Sequence, residues 1–229
     1  MSPEFETVKE SAGAFMYRVY AWMAFGLALT GVTAYLVFAN QPLFKALVSS
    51  PIIFIGLLFA EIIVVMILAG LIHKMNFITA ASIFIAYSLL NGVTFSVIFA
   101  AYELGSIYLV FGITMGMFAF MALYGFVTKT DLTKLGNILL MCLFGLVIGM
   151  LVNMFMRSNT FDYYLSILGV IIFTGLIAYD VQKIKQMGNW LLYQGQDVQR
   201  VALLGALTLY LDFINLFLNL LRLLGKRKD

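Results

Sequence analysis

Cysteine and histidine occur once each in the chain, at Cys142 and His73. A lone cysteine excludes an intrachain disulfide, and one His with one Cys excludes a zinc cage. Charge is scarce as well. Asp, Glu, Lys and Arg make up 11% of the residues, whereas a soluble domain carries about 25%. Such a chain has too few charges to cover a water-facing surface. The net charge of +3 is small and scattered, which argues against nucleic acid as a partner. Neither a P-loop nor a Rossmann glycine pattern is present, so no nucleotide, flavin or haem site is expected and no cofactor tightly bound. No cleavable leader is expected either, because "MSPEFETVKE" is acidic and the first apolar run is too long for an h-region.

What the chain does have is apolar length. Hydrophobic residues make up 63% of it, with a mean hydropathy of +1.01. A spanning helix needs about 20 mostly apolar residues. Seven runs qualify, at about 19–38, 52–72, 77–101, 106–127, 136–156, 163–183 and 201–221. The connections between them, "NQPLFKALVSSP" and "VQKIKQMGNWLLYQGQDVQR" included, are short and polar. We therefore expect an all-α membrane protein, a seven-transmembrane-helix bundle forming one polytopic domain over residues 1–229.

Orientation is read from Lys and Arg. A cytoplasmic N-terminus puts Lys9, Arg18, Lys74, Lys129, Lys134, Lys183, Lys185 and Arg200 inside and leaves Lys45 and Arg157 outside. The tail cations Arg222, Lys226, Arg227 and Lys228 would then lie outside after seven crossings. By charge alone they favour a re-entrant last segment, but its length suffices for a full crossing, so the charge rule does not decide. "GITMG" (Gly112–Gly116) and "GLVIG" (Gly145–Gly149) are small-xxx-small matches, read as sites where two helices approach closely. Cys142 is read as inert packing, and Trp190 and Tyr193 as interfacial residues.

Three acids lie within or at the margins of the apolar runs: Glu61, Asp180 and Asp212. A charge at the centre of a spanning helix costs roughly 2.5–3.5 kcal/mol on insertion scales, so these groups need a partner or a wet cavity. Asp212, Asn215 and Asn219 fall at i, i+3 and i+7, on one helix face. That stripe predicts a seventh helix lining the bundle centre, although a plain polar glue between helices would need no more than the Asn residues. Asp180 sits at the end of the sixth run, beside Lys183 and Lys185. Asp212 lies roughly 17 Å along the helix from Val201 at 1.5 Å per residue, so the two acids can reach similar depth. Carboxyl groups in contact cannot both ionise cheaply and share a proton. Such a pair can bind a divalent cation or exchange protons near neutral pH.

Two segments, "GLIAYDVQKI" and "ALTLYLDFINLFLNLLRLLG", resemble the last two helices of the Bax inhibitor-1 family (transmembrane Bax-inhibitor-motif proteins), and "YGFVTKTDLTKLG" is also similar to that family. The resemblance implies a bacterial inner-membrane, multi-pass protein with its seventh helix central and the others around it. It implies a pH-sensitive calcium leak governed by Asp180 and Asp212, with calcium as the transported ion on a weak site. It further implies a basic latch near the end of the second helix, where His73 and Lys74 are the candidates here. Should relatives carry Arg there, this chain departs from a bidentate latch. Glu61 matches an acid of relatives and is a candidate cavity wall.

The sign of the pH response is open on these residues, because protons weaken cation binding yet also release a latch; the reading leans to acid-favoured opening. An alternative is a regulator or client of membrane machinery, such as a membrane-bound protease, with the segment before Tyr17 as its handle. An intramembrane aspartyl protease fits less well, because "LYL" rather than glycine precedes Asp212. Proton-coupled ion exchange uses the same acids.

Overall fold

The computed structural model describes residues 3–194 and 198–228, with side chains from Gly13 onward except that of His73. The helices are α1 (Pro3–Ala39), α2 (Gln41–Ser49), α3 (Pro51–Leu71), α4 (Phe77–Ala101), α5 (Leu104–Val127), α6 (Thr133–Met156), α7 (Asn159–Tyr193) and α8 (Gln199–Leu224), with a 3-10 turn at Ile72–Lys74. Seven of these, all but α2, are long and apolar enough to cross a membrane. The protein is an all-α membrane protein.

Where the helices begin and end follows from local chemistry. Asn40 caps α2, its side chain accepting from Leu43 N at 3.2 Å, with Pro42 in the first turn. Ser50 caps α3 ahead of Pro51. Asn76 Oδ1 accepts from Thr79 N at 2.8 Å and starts α4. Two features differ from the expected elements. "NQPLFKALVSSP" is not a plain connection but contains α2, which buries Leu47. The sixth span continues past its expected end at 183 to Tyr193, so much of the expected connection is helix.

The chain falls into two compact units. Unit 1 comprises Met1–Tyr102, Met187–Tyr210 and Lys228–Asp229; unit 2 comprises Glu103–Gln186 and Leu211–Arg227. In unit 1, α1 and α4 come close because Gly92 has no side chain: a Cβ there would strike Thr33 and the Thr30 carbonyl. The Thr30 hydroxyl lies 2.9 Å from the carbonyls of Gly26 and Ser88 and 2.7 Å from the Tyr210 hydroxyl. In unit 2, Gly125 faces the Ala178 backbone and Gly136 the Tyr179 ring. Gly112, Gly116 and Gly145 meet nothing within 4 Å, so the glycine pairs singled out by spacing are not where helices of this chain approach closely, save at Gly149 against Leu165. Cys142 is exposed on the outer face rather than packed inside.

The last helix is long and apolar enough for a full crossing. Arg200 Nη1 donates to the Met75 carbonyl at 3.0 Å, beside the start of α4. At the other end of α4, Lys228 N donates to Ala101 O at 3.0 Å and Lys228 Nζ to Phe99 O at 2.7 Å. Within unit 2, Lys226 Nζ pairs with Glu103 at 2.8 Å, its N–H donates to Ser106 Oγ at 2.8 Å, and its carbonyl accepts from Glu103 N at 3.0 Å. The tail is anchored by hydrogen bonds at the opposite end of α4 from Arg200, which agrees with the full crossing that the length of the run allows. We predict that Lys74→Cys and Lys228→Cys, each in a Cys142→Ala background, label from opposite membrane faces with an impermeant maleimide. Labelling of both from one face would contradict the crossing.

Candidate functional site

Unit 2 holds the two acids of the last helices. Asp180 lies on α7 and Asp212 on α8, and their carboxyls are close enough to act on one another. Asp212 is buried, with 6% of its surface exposed, and its Oδ2 has no partner among the described residues. Lys183, one turn beyond Asp180, is close enough to act on its charge and stands with Nζ 5.5 Å from the Tyr179 ring centroid.

Asp180 is held in place by its neighbours in sequence. Ala178 and Tyr179 lie against Gly125 and Gly136, whose missing side chains leave the room. Gln182 spans the α5–α6 connection: its Oε1 accepts from Leu132 N at 2.9 Å and its Nε2 donates to Thr130 O at 2.8 Å. Lys185 Nζ donates to Phe126 O at 2.7 Å. The segment "YGFVTKTDLTKLG" is thus the seat on which "AYDVQK" rests. Sequence reading singled out both segments but missed that one carries the other; the glycines at its two ends were the available signal. The same connection is closed by Asp131 Oδ1, which accepts from Thr133 Oγ1 at 2.6 Å and Thr133 N at 2.9 Å. Those two bonds hold the Asp131 carboxyl below its ordinary range. Stability from such a group is present above the ordinary carboxylate range and is lost only as pH falls through the lowered value. The clasp therefore stays closed at and around neutral pH.

The polar stripe on α8 points inward, but its opposite face is buried too: Ile214, Phe217 and Leu221 are almost wholly covered. Of the seven spans α8 has the most buried apolar stretch, 72% against 6% for Pro51–Leu71. Asn215 and Asn219 turn their amide nitrogens onto the helix's own carbonyls, Leu211 O at 2.8 Å and Asn215 O at 2.7 Å. Asn219 Oδ1 is buried without a partner and lies against Gly169 of α7. It stands about 10 Å along the axis from Asp212 at 1.5 Å per residue, too far to share one ion with that acid. Oxygens for a cation at the pair would come from the two carboxyls, the half-buried Asn215 and water. Among the described residues no three His, Cys, Asp or Glu side chains cluster.

The remaining candidates belong to unit 1. Glu61, on α3, is half-buried, and its Oε1 accepts from Thr94 Oγ1 at 2.7 Å. Thr94→Val should lower stability by about 1 kcal/mol, as expected for one lost hydrogen bond to an acid left without a donor; an unchanged unfolding midpoint in detergent would show that Glu61 finds another partner. Lys74 is exposed in the 3-10 turn after α3, and the His73 side chain lies outside the described residues.

Residues 12–229 match the family described as "Inhibitor of apoptosis-promoting Bax1". Full-length relatives agree. A Borreliella burgdorferi protein described as uncharacterized is 45% identical over 215 residues, 94% of this chain and 93% of the relative. The inner membrane protein YbhL of Escherichia coli is 41% identical over 93% of this chain and 92% of its own length. A Deinococcus radiodurans protein, also described as uncharacterized, is 38% identical over 94% and 91%. A match of this extent, carried through α7, α8 and the seat between α5 and α6, establishes that the chain belongs to the Bax inhibitor-1 family.

Proposed function

We propose that the protein is a pH-sensitive calcium leak of a bacterial inner membrane, with Asp180 and Asp212 as its control point. The inner-membrane placement follows the name of the Escherichia coli relative, and a cytoplasmic N-terminus follows the Lys and Arg distribution. The observation that carries the functional reading is the closeness of two carboxyls on α7 and α8, one of them buried with a free oxygen.

Calcium takes 6–8 oxygens at about 2.3–2.6 Å. Two carboxyls, an Asn carbonyl and water supply a weak site, which suits permeation because tight binding blocks exit. The pair as arranged fits one shared proton. A bond between an acid and a carboxylate is roughly twice as strong as one between neutral groups. A second proton therefore loosens the α7–α8 contact, and acid opens the path. In liposomes loaded with a calcium dye, the protein should raise calcium entry above that of empty vesicles, and more at about pH 6 than at about pH 8, the interval in which weakly perturbed protein groups switch charge. Equal entry with and without protein would end the proposal.

A second reading, regulation of a membrane-bound protease or other membrane machinery, rests on the segment before Tyr17 as a handle. Crosslinking from that segment in intact membranes tests it, and calcium flux does not.

A further inference from the structure

Unit 1 contains a cavity of about 210 Å³ lined by Arg18, Trp22, Phe77, Gln199 and Ala202. Phe77 and Gln199 are the first residues of α4 and α8. The cavity therefore lies where two spans begin, at the depth where the apolar core of a bilayer gives way to headgroups. Its apolar wall is held in place: the Trp22 ring meets Phe25, Phe77 and Phe84 edge-on at 5.8, 5.9 and 6.1 Å between centroids. Its floor is Ala202, buried at 1% exposure. The adjoining cation, Arg200, is occupied in tying α8 to the Met75 carbonyl.

Arg18 is different. Its side chain is exposed to the cavity side of α1, and among the described residues it forms no hydrogen bond or ion pair. No acid among the described residues lines the space. A guanidinium offers five donors in a planar fork and no acceptor, a geometry that matches an anion with paired oxygens. The neighbouring starts of α4 and α8 add partial positive charge of the same preference. An anion that also carries an apolar or glycerol portion suits the indole and phenyl walls. At headgroup depth, the group with both properties is a phosphate ester.

We infer that this cavity binds the phosphate of a glycerophospholipid headgroup or of a soluble phosphate ester, with Arg18 as the anion ligand and Trp22 and Phe77 flanking the remainder. The site shares no residue with the acid pair and is independent of the calcium reading. The test is native mass spectrometry of the full chain in detergent with phosphatidylglycerol, with diacylglycerol of the same acyl chains, and with phosphatidylglycerol plus glycerol 1-phosphate. Wild type should retain phosphatidylglycerol and not diacylglycerol. Arg18→Gln should weaken retention at least tenfold, Arg18→Lys should keep part of it because the charge remains, and Ala202→Leu should block it by filling the space. Displacement by glycerol 1-phosphate would identify a soluble ester as a sufficient ligand; retention against it would identify the lipid. Absence of any adduct, equal retention of phosphatidylglycerol and diacylglycerol, or full retention by Arg18→Gln would overturn the inference.

Discussion

Asp212→Asn should leave calcium entry into dye-loaded liposomes the same at about pH 6 and about pH 8, whereas wild type should differ between them, because a coupled acid pair loses its exchangeable proton when one member becomes an amide. The expected effect is large: a one-proton equilibrium changes populations by up to about tenfold per pH unit, and the substitution brings that ratio to one. Asn keeps the size of Asp and can still donate to Asp180, so the α7–α8 contact survives. Folding should not suffer, since an amide avoids the roughly 2.5–3.5 kcal/mol insertion cost of a charge at this depth. The Asp131 clasp on the neighbouring connection is already formed throughout the interval and does not confound the comparison. A variant with unchanged flux and an unchanged pH response would remove Asp212 from the control point.

Gly125→Ala should be among the most destabilising single-methyl additions in unit 2. The added Cβ would collide with the Ala178 carbonyl and its Cα, which are backbone and cannot swing away. Overpacking of this kind costs about 1–3 kcal/mol and at times more. In a chain of this length each kcal/mol lowers Tm by about 2–4 °C, so a fall on the order of 5 °C is expected in detergent. Gly112→Ala on the same helix is the control: nothing lies within 4 Å of its Cβ, and Tm should not move. The pH response of calcium entry should change with Gly125→Ala as well, because Ala178 is two residues from Asp180. Equal Tm values for the two variants would show that the seat under α7 does not position the acid.

Some of this arrangement could be read before any coordinates. An apolar run of spanning length is a property of composition, and the run Phe77–Ala101 agrees with α4 to the residue; in the structure Asn76 caps its start and Tyr102 follows its end. An acid inside such a run needs a partner, which singled out Asp180, Asp212 and Glu61; Glu61 accepts a hydrogen bond from Thr94, and the carboxyls of Asp180 and Asp212 act on one another. Other features were hidden because they depend on which residues meet. The polar stretch after Asp180 looked like the end of a helix, yet Gln182 and Lys185 spend their polarity on the α5–α6 connection and the helix continues. Glycine spacing pointed to Gly112 and Gly116, while the close contacts are at isolated glycines such as Gly125 and Gly136, for which no spacing rule exists. Charge counting and run length disagreed about the tail, and the bonds from Lys226 and Lys228 to residues 99–106 tie it to the end of α4 far from Arg200.

The most direct measurement of the central claim is a double-mutant cycle in the flux assay, with Asp180→Asn, Asp212→Asn and both together. If the two carboxyls act as one titrating unit, the double variant behaves like either single one. The coupling should then fall in the range of about 0.5–3 kcal/mol found for residues in contact, a factor of roughly 2 to 160 in rate. Effects on flux that simply multiply, with each acid acting as though the other were absent, would contradict the account.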